Sequence, residues 1–419
     1  MPDPQPIRHW IPPASLATSL GAQGVAWGLL AFVPWPERVG LSLPALAWIH
    51  TVALGWLTMT ALGILVHVIP GFLDLSWAKE AVARWSLLPF GLGAATMVGG
   101  FLGGWPGAIA TGATLAVLGL AGYLVPAFWT LGGHRPGLPQ AAPLKPAFMT
   151  VLGLLALAAT FGWLMATALA GAPWSRVLVW MPPAHAVLGG LGWLSMLVLG
   201  VSTRPLFPVT GHPRVPLRWH RHVSMAFSLG GLLLLVGLWG PLAWAAPLGL
   251  LALSASVGLY AADVLPLLVR GRNPHHPPKA FIGSALAYFG MAVAIGWGVW
   301  AGQPWQAALA FVGLSGWLGQ SVNGYALHIG VRLLCTVVRG PDDETPPFAV
   351  VPQPLAWSAF GLFQAALLMG TTCLLTDHGS WLRMAGGLGL LGWAAWMGCL
   401  IGAVLRLRSR PLDPTPRHA

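Results

Sequence analysis

The chain has 419 residues, of which 56% are hydrophobic and only 7% charged, with a formal charge of +11. A water-soluble domain carries about 25% charged residues, so this composition excludes a soluble enzyme. The chain reads as a polytopic membrane protein whose backbone closes its own hydrogen bonds as helices. The positive balance is explained by basic loops on one membrane face rather than by nucleic acid.

Taken in order, the sequence opens on MPDPQPIRHW with no cleavable signal, and the first apolar run is expected to be a span. Twelve spans are expected, near 14–34, 43–70, 84–104, 107–130, 147–170, 182–203, 221–239, 242–269, 279–301, 305–331, 355–375 and 381–405. A tail follows at 406–419. The breaks carry turn signals: PWPE, GGWPG, GGHRPGLP, GAPW, GRNPHHPP and RGPDDETPP. Glycines within the spans suit close helix approach in lipid. Tryptophans such as Trp35, Trp105, Trp174, Trp180 and Trp305 fall at span ends, as an interfacial belt requires. Cys335, Cys373 and Cys399 form no CxxC motif and no disulfide framework.

With the N-terminus in the cytoplasm, all but three of the 21 Lys and Arg residues fall on the inner side. The exceptions are Arg38, Arg176 and Arg383. This split predicts an even number of spans with both termini inside, and the membrane expected is the bacterial inner membrane.

One pattern recurs three times: GWLTMTALGILVH ending at His67, GWLSMLVLGVSTR ending at Arg204, and GWLGQSVNGYALH ending at His328. Aligned on Gly55-Trp56, Gly192-Trp193 and Gly316-Trp317, the copies share Met59, Met196 and Gln320. They then share Gly63, Gly200 and Gly324, and end on His67, Arg204 and His328. The copies fall in spans 2, 6 and 10, one in each consecutive group of four. This implies a single domain, 1–419, of three pseudo-repeats at about 10–135, 145–272 and 279–405.

Twelve helices in three groups of four resemble the fold of heme-copper oxidase subunit I. The run His50-x8-Met59-x3-Gly63-x3-His67-Val68-Ile69-Pro70 is similar to its second helix, where a histidine near the outer end ligates a low-spin heme. A closer resemblance is to the NnrS family of heme- and copper-associated membrane proteins tied to nitric oxide metabolism. It rests on His185, the glycine-rich helix with Met196, Thr203-Arg204, and the turn Gly211-His212-Pro213-Arg214. The resemblance implies heme b, with copper as a second candidate, and a small gas such as nitric oxide or a redox donor as partner besides the bilayer. A homo-oligomer is compatible with it.

The departures are specific. Phe311 stands where His50 stands in the first repeat, and no histidine lies between Gln303 and Gln320. The paired histidines of an oxidase copper site are not evident in spans 7 and 8, and no tyrosine follows His185 by one turn. An oxygen-reducing centre and proton pumping are therefore not expected.

Ionisable side chains within spans face the bundle and are functional by default, which makes His50 and His185 the first candidates as heme or metal ligands. Buried hydrogen-bonded histidines are the plainer alternative. His67 and His328 lie at the inner ends of spans 2 and 10, and His50 and His67 are about 25 Å apart at 1.5 Å per residue. They either form a second cofactor layer or meet lipid headgroups. Arg204 suits heme propionates or another anion, or is a positive-inside anchor. Among the loop histidines His134, His212, His220, His222, His275 and His276, solvation is the plainer reading, and His212 is the best metal candidate. Asp342, Asp343 and Glu344 read as a solvated loop. A transporter or metal-handling protein using the same histidines is the alternative function, and a structural partner subunit is the third.

Overall fold

The computed structural model describes residues 11–35, 40–73, 75–133, 144–201, 204–212, 217–239, 242–272, 276–340 and 345–409. Among these the fold is all helix, with no strand. Among the described residues, eleven helices are long and apolar enough to cross a membrane. They are α2 (Leu43–Val66), α3 (Glu80–Gly103), α4 (Pro106–Gly132), α5 (Lys145–Leu169), α6 (Val177–Val201), α7 (His220–Leu238), α8 (Ala245–Arg270), α9 (Pro277–Trp300), α10 (Gln306–Arg339), α11 (Gln353–Leu375) and α12 (Gly379–Ser409). A further long helix, α1 (Ile11–Phe32), occupies the place of the first expected span. It carries Ser15, Ser19 and Gln23, all turned into the protein.

The chain is thus a polytopic helical membrane protein. Its outer surface is apolar, with Leu88, Leu118, Val179, Leu251 and Leu391 exposed along the helices, as a lipid-facing surface requires.

The closest neighbours in the bundle are the antiparallel pairs α3 with α4, α7 with α8, and α11 with α12, and α1 packs along α12. Glycine permits the first two of these contacts. A Cβ at Gly93 would stand 2.3 Å from the backbone nitrogen of Ala116, and one at Gly112 would stand 2.4 Å from that of Met97. On α7 and α8, Gly230 and Gly249 each lie against the other's carbonyl oxygen. Without a hydrophobic force between helices in lipid, backbone approach of this kind supplies the packing.

The helices α2, α6 and α10 meet at their Gly-Trp segments. In each, the α-helix widens to a π-turn around or just before the tryptophan: Thr51–Thr58, Val187–Ser195 and Val312–Leu318. The indole Nε1–H of Trp193 donates to Thr58 Oγ1 at 3.0 Å, and that of Trp317 donates to Ser195 Oγ at 3.1 Å. Trp56 closes the circuit by packing on Gly319, where a Cβ would lie 2.7 Å from the indole Cη2. Thr58, Ser195 and Gly319 all stand two places after the tryptophan of their own copy, so each tryptophan rests on the same position of another copy. All three indoles are buried.

Candidate functional site

The first candidate pair comes together. His50, near the start of α2, and His185, near the start of α6, have ring centres 6.2 Å apart and planes 18° apart. Both are half-buried. Two backbone carbonyls set their tautomers. His50 Nδ1 lies 2.7 Å from Leu46 O, one helical turn earlier, and His185 Nδ1 lies 2.9 Å from Ala158 O on α5. A carbonyl only accepts, so each Nδ1 carries the proton and donates, which leaves each neutral Nε2 with its lone pair. A backbone carbonyl on one ring nitrogen is the arrangement that orients a ligating histidine.

The walls of the pair come from helices that carry no titratable group there. Phe101 of α3 stacks on His50, with centres 5.1 Å apart and planes 28° apart. Gly162 of α5 lies under His185, where a Cβ would be 2.9 Å from Cε1. Phe101, Gly162, Leu46 and Ala158 carry no sequence signal as site residues, because three are apolar and two act through backbone oxygen.

The third copy of the Gly-Trp pattern places no histidine at the position of His50. Phe311, in the place of His50, is buried against Trp48 at 5.5 Å and Trp27 at 6.3 Å between ring centres, and Gly370 makes room for its ring. Leu30, Trp48, Ile49, Ala307, Phe311 and Leu374 line a small, open apolar cleft with a volume of about 20 Å3.

Of the remaining candidates, Arg204 lies just past the end of α6 and is partly buried. His212 follows Gly211, which takes a left-handed conformation at φ 69°, at the end of a short helix, Leu206–Thr210. Among the described residues no group of three or more His, Cys, Asp or Glu forms around it or elsewhere. His220 and His222 stand in the first turn of α7, the latter edge-on to Trp219. His328 does not join the first pair. It lies near the C-terminal end of α10, edge-on to His276 with ring centres 6.2 Å apart. The side chain of His67, and residues Arg8, Arg38, His134, Arg135, Thr203, Pro213, Arg214, His275, Asp342, Asp343 and Glu344, lie outside the described residues.

No protein-family model, curated protein or solved structure matches the chain.

Proposed function

We propose that this chain is a heme-binding, or copper-binding, integral membrane protein of the heme-copper oxidase subunit I and NnrS type, acting on nitric oxide or another small gas or redox partner. The observation that carries the reading is the His50–His185 pair. Two intramembrane imidazoles from different helices face one another, each with Nδ1–H fixed on a backbone carbonyl and Nε2 left as a donor. Each neutral imidazole thereby keeps an Nε2 lone pair that can ligate a metal.

The donor set fits both groups, since neutral imidazole ligates heme iron and copper alike. His50 and His185 would hold the group. Leu46 and Ala158 would fix the ring orientations, and Phe101 would keep water from one face of His50. Bound there, the iron or copper would supply gas binding and one-electron chemistry. The apolar cleft lined by Trp48, Ile49 and Phe311 suits an uncharged diatomic gas.

The three-by-four arrangement belongs to the same proposal. It is supported by the three close pairs α3–α4, α7–α8 and α11–α12, and by the circuit Trp193–Thr58, Trp317–Ser195, Trp56–Gly319. In this architecture His50 and His185 lie toward the outer side and both termini lie inside. With Phe311 in place of a histidine, cyanide-sensitive oxygen reduction is not part of the proposal.

The test is the visible spectrum and metal content of the purified chain, beside His50→Ala and His185→Ala. A Soret band or stoichiometric copper in the parent, lost or shifted in both variants, supports one shared centre. A colourless, metal-free parent reconstituted with neither group overturns the reading.

A further inference from the structure

A second cluster lies at the opposite end of α10 from Phe311, and it is independent of the first pair. His276 is the residue just before α9, and its ring is buried, at 7% exposure. Its Nε2 has no hydrogen-bond partner, and neither does the buried Nδ1 of His328, whose ring stands 6.2 Å away at 77°. Lys279, in the first turn of α9, is buried at 8% exposure and makes no ion pair or hydrogen bond through its side chain among the described residues. Phe348 closes one side, with its ring centre 6.3 Å from that of His276.

Two buried ring nitrogens are left without partners, which is unfavourable, and the Lys279 ammonium stands beside them as a positive charge. Something of complementary charge would relieve all three. The sign of the surroundings selects it. The cluster sits at the N-terminus of a 24-residue helix, the positive end of its dipole. The first two residues of that helix, Pro277 and Pro278, have no N–H to offer, so the donors left are the Lys279 ammonium and the two imidazoles. A metal cation would meet the lysine and the helix dipole as repulsion. An anion would meet them as attraction and accept from all three side chains. The position at the end of a membrane span adds a further constraint, since basic pockets between helices at this level bind phosphate headgroups.

We propose that His276, Lys279 and His328 form a binding site for a phosphate group at the junction of α9 and α10. The phosphate belongs either to an anionic lipid headgroup or to free phosphate. Lys279 supplies the charge, and His276 and His328 each donate one ring N–H to a phosphate oxygen. In keeping with such a site, burial first, and then the neighbouring His328 and Lys279, hold His276 below its ordinary value, at about 4, when no anion is present.

The experiment uses the delipidated full chain in a neutral detergent, titrated with inorganic phosphate and, separately, with phosphatidylglycerol micelles, against chloride at equal ionic strength. Thermal unfolding is followed by tryptophan fluorescence. A saturable rise in Tm with inorganic phosphate assigns the free anion, and a rise with phosphatidylglycerol alone assigns the lipid. Lys279→Gln and the double variant His276→Gln/His328→Gln should each weaken the response about tenfold or more, while Lys279→Arg should keep it. No rise with either probe, or an equal rise in the parent and in Lys279→Gln, would overturn the site. So would copper binding that depends on His276 and His328. The spectrum of the His50 centre is a separate readout, so either proposal can fail alone.

Discussion

Trp193 donates its indole proton to Thr58, the residue two places beyond Trp56 in another copy of the same pattern. Trp317 does the same to Ser195, and Trp56 packs on the glycine that replaces the hydroxyl in the third copy. The three helices that carry the repeat are therefore joined through equivalent atoms at one level of the bundle. The π-turns present the indoles there, as such turns often do at functional positions.

Replacing Trp193 with Phe removes that donor and leaves the buried Thr58 hydroxyl without it. The expected loss is about 1–3 kcal/mol, measured as a lower unfolding midpoint in detergent. Thr58→Val in the same background should cost less than it does alone, because the hydroxyl has already lost its partner. Strict additivity of the two changes would show that the bond contributes nothing.

Gly162→Ala places a methyl group 2.9 Å from His185 Cε1, which forces the ring to shift. We expect this variant to insert normally but to lose heme or copper, read from its absorbance and metal content. Gly153→Ala on the same helix meets nothing within 4 Å and should behave as the parent does. Equal occupancy in both variants would separate His185 from the cofactor.

Reporter fusions in the loops at Arg38, Arg176 and Arg383 should read as external, and those at both termini as cytoplasmic. A cytoplasmic readout at Arg176 would invert α6 and remove the basis for placing His50 and His185 toward the outer side.

The depressed pKa of His276 has a sign that can be tested. Its folded value of about 4 lies below the ordinary histidine value of 6.5. Above about pH 6.5 it therefore adds no protonation penalty, and stability is lost as pH falls from there toward 4. Without phosphate, the unfolding midpoint should drop across this window, and His276→Gln should flatten the drop. His328 and Lys279, which face the same ring, stay in place in that variant. An identical pH profile in parent and variant would show that His276 does not carry the effect.

The spans were legible because a helix must be apolar for about 20 residues to cross the hydrocarbon, and eleven of the twelve expected places hold such a helix. The first expected place holds a long helix whose Ser15, Ser19 and Gln23 are buried; Gln23 Nε2 donates to Asn323 Oδ1 at 3.3 Å. Span 10 was expected to end near 331, but the helix runs on to Arg339. There the guanidinium donates from Nε and Nη2 to Leu407 O near the end of α12 at 3.1 and 2.9 Å, a tertiary contact that hydropathy does not encode. The approach of His50 to His185 could be anticipated from their near-equivalent places, offset by two residues, in two copies of the pattern. Phe101, Gly162 and the Ala158 carbonyl could not, because an apolar ring, a missing side chain and a backbone oxygen look the same in any span. In the sequence His276 is indistinguishable from the other loop histidines, since its burial depends on tertiary contacts such as His328 and Phe348.

The cyclic seating of the three indoles also bears on how the protein is made. A chain entering the membrane in order completes the His50–His185 pair once α6 is inserted. The Trp56 ring has no seat until Gly319 arrives with α10. During synthesis the candidate cofactor site thus exists before the structure that locks it, which leaves an interval for loading from an open side of a partly built bundle. Insertion of the last four helices then ends that interval.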